Sequence, residues 1–120
     1  MGSRIAWAVG LVTGLDRDQA GDTVYQLVGT SLAAQESVPA AFAVAAAVPD
    51  DPWLACRVAA SLGGNCDTIA AMTGAICGAC HGAQTFPQEA LDIVASVNDL
   101  GLEALAAGLL TVRAGPDQAR

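Results

Sequence analysis

Aromatic side chains are scarce in this chain, at 4% of residues against a hydrophobic share of 53%. The apolar content is therefore mostly alanine, valine and leucine, which suits closely packed helices and argues against β-sandwich layers. No run of residues shows convincing strand alternation, so an all-α fold, a multi-helix bundle, is expected. Cations are few as well. Lys plus Arg number 5 against 12 Asp plus Glu, a formal net charge of −7, which repels phosphate backbones and anionic lipid surfaces. Nucleic acid is not expected as a direct partner. The apolar stretch Ile5 to Leu15 is too short to span a bilayer, and Asp16-Arg17-Asp18 follows where a signal peptide would place small residues. No membrane partner and a cytoplasmic location are expected. The chain also lacks a Ser- or Gly-rich linker, an internal repeat and a low-complexity tract, so residues 1–120 read as a single all-α domain. That length supports a real core but is short for a metal enzyme with its own substrate pocket.

The apolar spacing and the punctuation predict seven helices. Ile5, Ala8, Val9, Val12 and Leu15 share one face, and Ala20, Val24, Leu27 and Val28 repeat the pattern before Gly29 breaks it. Pro39 is placed in the first turn of an Ala-rich run that ends at Val48-Pro49, and Asp51-Pro52 caps and starts a fourth helix closing at Leu62-Gly63. A fifth runs from an Asn65 cap to His81-Gly82, a sixth from Pro87 to about Val97, and a seventh from about Leu100 to Arg113, before Gly115-Pro116.

The fifth helix carries Gly74, Gly78 and Gly82, with Ala71, Ala75 and Ala79 alongside. Such a bare surface lets neighbouring helices approach closely, and each helical glycine costs roughly 0.5–1 kcal/mol relative to alanine. Tertiary contacts must hold this helix, which is expected to be central. Its end spells Cys77-Gly78-Ala79-Cys80-His81, the C-x-x-C-H pattern of covalent haem attachment. A macrocycle would need room on the glycine ridge, and no second Cys/His pair completes a zinc site. The four cysteines read as small packed residues of a reduced compartment rather than a disulfide scaffold, and His81 as a C-terminal complement to the helix dipole.

The mouth of that helix, Gly63-Gly64-Asn65-Cys66-Asp67-Thr68, admits two readings. In one, Asn65 caps the helix by accepting from the N–H of Thr68, and Asp67 complements the dipole. In the other, Asp67 and Thr68 offer hard oxygen donors to Mg²⁺, assisted by the Asn65 carbonyl oxygen. Three ligands from one loop leave an octahedral shell incomplete, so more carboxylates or several waters would be required.

Residues 62–79, Leu-Gly-Gly-Asn-Cys-Asp-Thr-Ile-Ala-Ala-Met-Thr-Gly-Ala-Ile-Cys-Gly-Ala, closely resemble the G-G-D-T-D-T-I-A-x-x-x-G-A-I-x-G-A signature near the C-terminus of the ADP-ribosylglycohydrolases. Upstream, residues 29–40, Gly-Thr-Ser-Leu-Ala-Ala-Gln-Glu-Ser-Val-Pro-Ala, are similar to that family's G-x-G-x-x-A-x-E-S-V-P-x-A segment, and the likeness continues through Gly82 and Pro87. The resemblance implies an all-α hydrolase with a binuclear Mg²⁺ centre. Such an enzyme cleaves the glycosidic bond between ADP-ribose and a protein side chain, its partner being an ADP-ribosylated protein or a small ADP-ribose conjugate. On the same ground Asp67 corresponds to a carboxylate serving both metals and Thr68 to a hydroxyl ligand, while Gly29 and Leu32 lie on the adenosine side of the pocket.

Two departures qualify that expectation. Asn65 stands where the family has its first motif aspartate, so a negative ligand has become neutral, and Cys66 replaces a threonine. No segment before Gly29 resembles the family's Thr-Asp-Asp metal cluster or its acidic catalytic residue, so no catalytic residue is assigned. The 120 residues read as the C-terminal part of such an enzyme, truncated or split, with little or no activity alone and an N-terminal half on another chain as a possible partner. The alternative is a non-catalytic helical interaction domain derived from the family, and a third reading is a small haem carrier. If an N-terminal half ordinarily covers the glycine-rich helix, the isolated chain is expected to self-associate through the apolar face left bare.

Overall fold

The structure, a computed structural model, describes residues 1–114, and the Gly115-Pro116 stop falls outside the described residues. Among them every regular element is helical. The order is α1 (Gly2–Val12), α2 (Arg17–Thr23), α3 (Ala34–Ala47), α4 (Pro52–Ser61), α5 (Cys66–His81), α6 (Gln88–Asn98) and α7 (Leu102–Ala114). A π-helical turn, Val24–Val28, extends α2, and a 3-10 turn, Ala83–Thr85, follows α5. The elements fall into two units, Met1–Phe86 and a second beginning at Pro87.

Local chemistry explains most boundaries in the first unit. Asp16 begins α2 with a capping box: its carboxylate accepts from the N–H groups of Asp18 and Gln19 at 3.0 and 2.8 Å, and Gln19 reaches back to the Asp16 N–H. Asp51 caps α4 through the Leu54 N–H at 2.9 Å, with Pro52 at the first helical position. The first helix starts earlier than its apolar stripe and ends at Val12, because Thr13 is extended and Leu15 lies beyond the break. Pro39 is not in a first turn. The third helix begins at Ala34, so Pro39 sits in its interior and withholds the N–H that the Gln35 carbonyl would accept.

The core of this unit is built from small residues. Ala8, Ala20, Ala40, Ala41, Ala43, Ala55 and Ala59 are buried with Val12, Val24, Val28, Val44 and Ile69. Helix α3 occupies the middle, packing against α1, α2, α4 and α5. That corrects the expectation for α5, which packs on α4 and α3 and leaves Ala71, Ala75 and Ala79 exposed. The glycine ridge is used on one side only: a methyl group on Gly74 would come within 3.2 Å of the Cys56 sulfur, and one on Gly78 within 3.6 Å of the Phe86 ring. Thr73, fully buried, donates its hydroxyl to the Ile69 carbonyl at 2.8 Å, so the helix absorbs its own buried polar group.

The second unit contains α6 and α7. Gln88 donates to Asp92 one turn on at 2.8 Å, and α6 ends on Asp99 in the left-handed region at φ 49°. Ile93, Val97, Leu105 and Leu109 are exposed. No single described helix is long and apolar enough to cross a membrane, although α6 and α7 taken together have the length and composition, with a 91° bend between them.

Candidate functional site

Two loops meet at the ends of the helices that carry the motifs. The first is residues 29–33, between the π-turn and α3; the second is residues 62–65, between α4 and α5. The π-turn delivers the first loop: the Gly29 N–H closes it on the Val24 carbonyl at 3.0 Å, burying Val24 and Val28 while Tyr25, Gln26 and Leu27 remain exposed. Past Leu62, the left-handed Gly63 ends α4, and Gly64 is left-handed as well, at φ 82° and 64°.

The loops are joined through Thr30. Its carbonyl accepts from the Asn65 N–H at 2.7 Å, and Gly64 lies so close that a methyl group on it would collide with the Thr30 carbonyl and hydroxyl oxygens. Only glycine permits both that backbone conformation and that approach. A shallow cleft, largely open to solvent, lies beside this junction, lined by Tyr25, Gln26, Thr30, Ser31, Glu36 and Gly64.

Glu36 organises the first loop. One carboxylate oxygen accepts from the Ser31 N–H at 3.1 Å, while the Ser31 hydroxyl accepts from the Ala33 N–H at 3.2 Å. Gly29, at φ 92°, faces the same carboxylate, which fills the place of a side chain there. The Ser31 hydroxyl, the Ser31 amide and the more distant Arg4 guanidinium hold the Glu36 carboxyl below its ordinary value, against partial desolvation.

The expected site residues occupy both sides of the junction. Gly29 borders Glu36, and Leu32 projects into solvent at 86% exposure. Asn65 begins α5, but its side chain makes no bond to a backbone N–H; its oxygen accepts from the Thr68 hydroxyl at 3.1 Å instead. The capping bond expected from the Thr68 N–H is therefore replaced by a side-chain pair. Asp67 and Thr68 are exposed in the first turn. These side chains offer oxygen donors, the kind a hard divalent cation prefers, but one carboxylate among them falls well short of a magnesium shell. Among the described residues no group of three or more His, Cys, Asp or Glu side chains is placed to hold a metal ion.

Tyr25, Gln26 and Glu36 received no role from the sequence. Glu36 was within reach, since an acid in the first turn after a Gly-Thr-Ser loop is placed to reach back to orphan N–H groups. At the far end of α5 the two thiols of the C-x-x-C-H pattern part company: Cys77 is buried at 4% exposure, and Cys80 and His81 are exposed.

Comparison with known proteins bears on this arrangement. The sequence profile of the ADP-ribosylglycohydrolase family matches residues 1–119. An uncharacterized protein of Escherichia coli (strain K12), YegU, is 34% identical over 114 residues, a match covering 94% of this chain and 34% of YegU. The chain thus spans about a third of that relative's length. No solved structure matches it.

Proposed function

Since the chain belongs to the ADP-ribosylglycohydrolase family, we propose that its two joined loops form part of the active site of an enzyme that hydrolyses the glycosidic bond of ADP-ribose conjugates. The observation that supports this reading is the Thr30 to Asn65 hydrogen bond of 2.7 Å, which joins the loop of Gly29 and Leu32 to the loop that leads into Asp67 and Thr68. Gly29 and Leu32 lie on the nucleoside side, with Tyr25 and Gln26 offering an aromatic face and an amide. Asp67, Thr68 and Asn65 present oxygen donors to Mg²⁺. A bound Mg²⁺ pair would orient ribose hydroxyls and acidify a water for attack at the anomeric carbon. Asp67 supplies the single negative charge of residues 63–68; the match covers 34% of YegU, and the remaining carboxylates and the catalytic acid would lie in the part of such an enzyme that this chain does not span. The substrate is an ADP-ribosylated protein or a small ADP-ribose conjugate.

A second reading, a helical interaction domain without catalysis, is favoured by one specific feature, the neutral Asn65 beside Asp67. The deciding assay measures Mg²⁺-dependent release of ADP-ribose from a modified peptide. The 120-residue chain alone is expected to release little or none, and the same chain combined with a family portion bearing the Thr-Asp-Asp cluster is expected to release it. Robust release by the chain alone overturns the shared-site proposal; no release and no Mg²⁺ binding in the combination favours the interaction domain.

A further inference from the structure

Glu36 is the single charged side chain lining the cleft among the described residues, and its contacts run toward the protein. One oxygen is engaged by the Ser31 N–H, and the carboxylate lies against Gly29 where a side chain would otherwise stand. A carboxylate facing the ligand would repel an anionic diphosphate, so its charge is better spent on the loop than on the substrate. We propose that Glu36 is a positioning residue, whose carboxylate holds residues 29–33 in the shape that lets the cleft accept the uncharged nucleoside end of its ligand. This rests on the cleft reading given above.

Three features converge on that role. Glycine at 29 is favoured by its positive φ, and the Glu36 carboxylate occupies the space a side chain there would take. Ser31 is fixed from both sides, its N–H by Glu36 and its hydroxyl by the Ala33 N–H. Thr30, between them, carries the carbonyl that Asn65 holds. Loosening Glu36 therefore releases the nucleoside loop at its centre while leaving the alanine core of α3 in place.

The test uses the full chain and two readouts, amide exchange at Ser31 and ADP-ribose titration followed by the amide resonances of residues 29–33. Glu36→Ala is expected to speed Ser31 exchange by about tenfold or more, with Thr73 in the core unchanged, and to weaken ADP-ribose binding by a similar factor. Glu36→Gln, which keeps an acceptor oxygen, is expected to restore part of both. A residue with a merely structural role would instead lower Tm and all protection together. Gly29→Ala, which inserts a methyl group where the carboxylate sits, provides an independent variant with the same expected loss. Equal Ser31 exchange in wild type and Glu36→Ala overturns the proposal, as does equal ADP-ribose affinity. If ADP-ribose shifts no wild-type resonance, the positioning role falls with the cleft reading, and accelerated Ser31 exchange in the variant then locates the failure in the substrate assignment.

Discussion

The Arg4 side chain donates from Nε to the Gln35 carbonyl at 2.8 Å, joining α1 to the helix that carries Glu36. That carbonyl is free because Pro39, four residues on, has no N–H to give it. The guanidinium of Arg4 also stands 5.9 Å from the centre of the Trp7 ring, which steadies its geometry. The arrangement predicts coupling. Arg4→Ala should cost about 1 kcal/mol in the native background and markedly less in Pro39→Ala, where the helix supplies its own donor. A double-mutant cycle by urea denaturation reads the difference, and strict additivity would show that the two residues act separately.

Gly64 and Gly10 should respond to alanine in opposite directions. At Gly64 the backbone is left-handed and the new methyl group meets Thr30 backbone, so Gly64→Ala should lose roughly 1–3 kcal/mol. It should also break the Thr30 to Asn65 bond. Gly10 lies inside α1 with nothing near its missing side chain, so Gly10→Ala should gain roughly 0.5–1 kcal/mol from helix propensity. Thermal or urea denaturation of the two variants checks both signs, and a tolerated Gly64→Ala would mean the loops are not locked at this point.

What the sequence conveyed and what it withheld divide along physical lines. The helix start at Asp51 and the stops at Gly63 and Gly82 are local, set by a side chain or a glycine that satisfies the backbone within a few residues. The interior place of Pro39 was hidden, because its compensation comes from Arg4, 35 positions away in sequence. The central position of α3 was also hidden: an alanine face is nearly as apolar on every side, so periodicity alone does not reveal which helix the others surround. At the site, the motifs identified both loops, but their junction depends on a backbone carbonyl, Thr30, whose side chain carries no signal of it.

Acidification should loosen the loop of residues 29–33 before it touches the core. Glu36 is held below its ordinary value by Ser31, first through the hydroxyl and then the amide, with Arg4 of α1 as the facing cation. A depressed carboxyl stabilises the folded loop above its unfolded value and loses that contribution as pH falls through the folded one. Loop stability should therefore be constant near neutrality and fall below the usual glutamate range. Ser31 amide exchange, corrected for its intrinsic pH dependence, checks this, and Glu36→Gln should remove the step. A pH response unchanged in Glu36→Gln would assign it to another group.

Thiol labelling should distinguish the two cysteines of the C-x-x-C-H pattern. Burial pushes the Cys77 thiol up, with Cys80 adding to the effect, and burial followed by the nearby Cys77 does the same to Cys56. The thiolate is the nucleophile, so both should react slowly, whereas the exposed Cys80 is accessible. With an aromatic disulfide reagent, Cys80 should be modified first and Cys77 only on unfolding. Haem attachment would require both sulfurs at the surface; equal fast reactivity of Cys77 and Cys80 in the native chain would reopen it.

If residues 63–68 bind a cation as proposed, a single substitution should strengthen that binding. In the native loop the Asn65 oxygen is occupied by the Thr68 hydroxyl at 3.1 Å, and Asp67 alone carries negative charge. Asn65→Asp adds a second anionic donor at the start of α5, where the helix dipole tolerates it. The cost is repulsion from Asp67 when no cation is bound, which a divalent ion relieves. Mg²⁺ affinity should rise by about tenfold in Asn65→Asp and be lost in Asp67→Asn. Titration followed by the amide resonances of residues 65–68 reads both, with thermal denaturation in the absence of Mg²⁺ as a control for the repulsion. Identical Mg²⁺ responses in the native chain, Asn65→Asp and Asp67→Asn would remove the loop as a cation site and leave its conformation to be explained by the Thr30 junction alone.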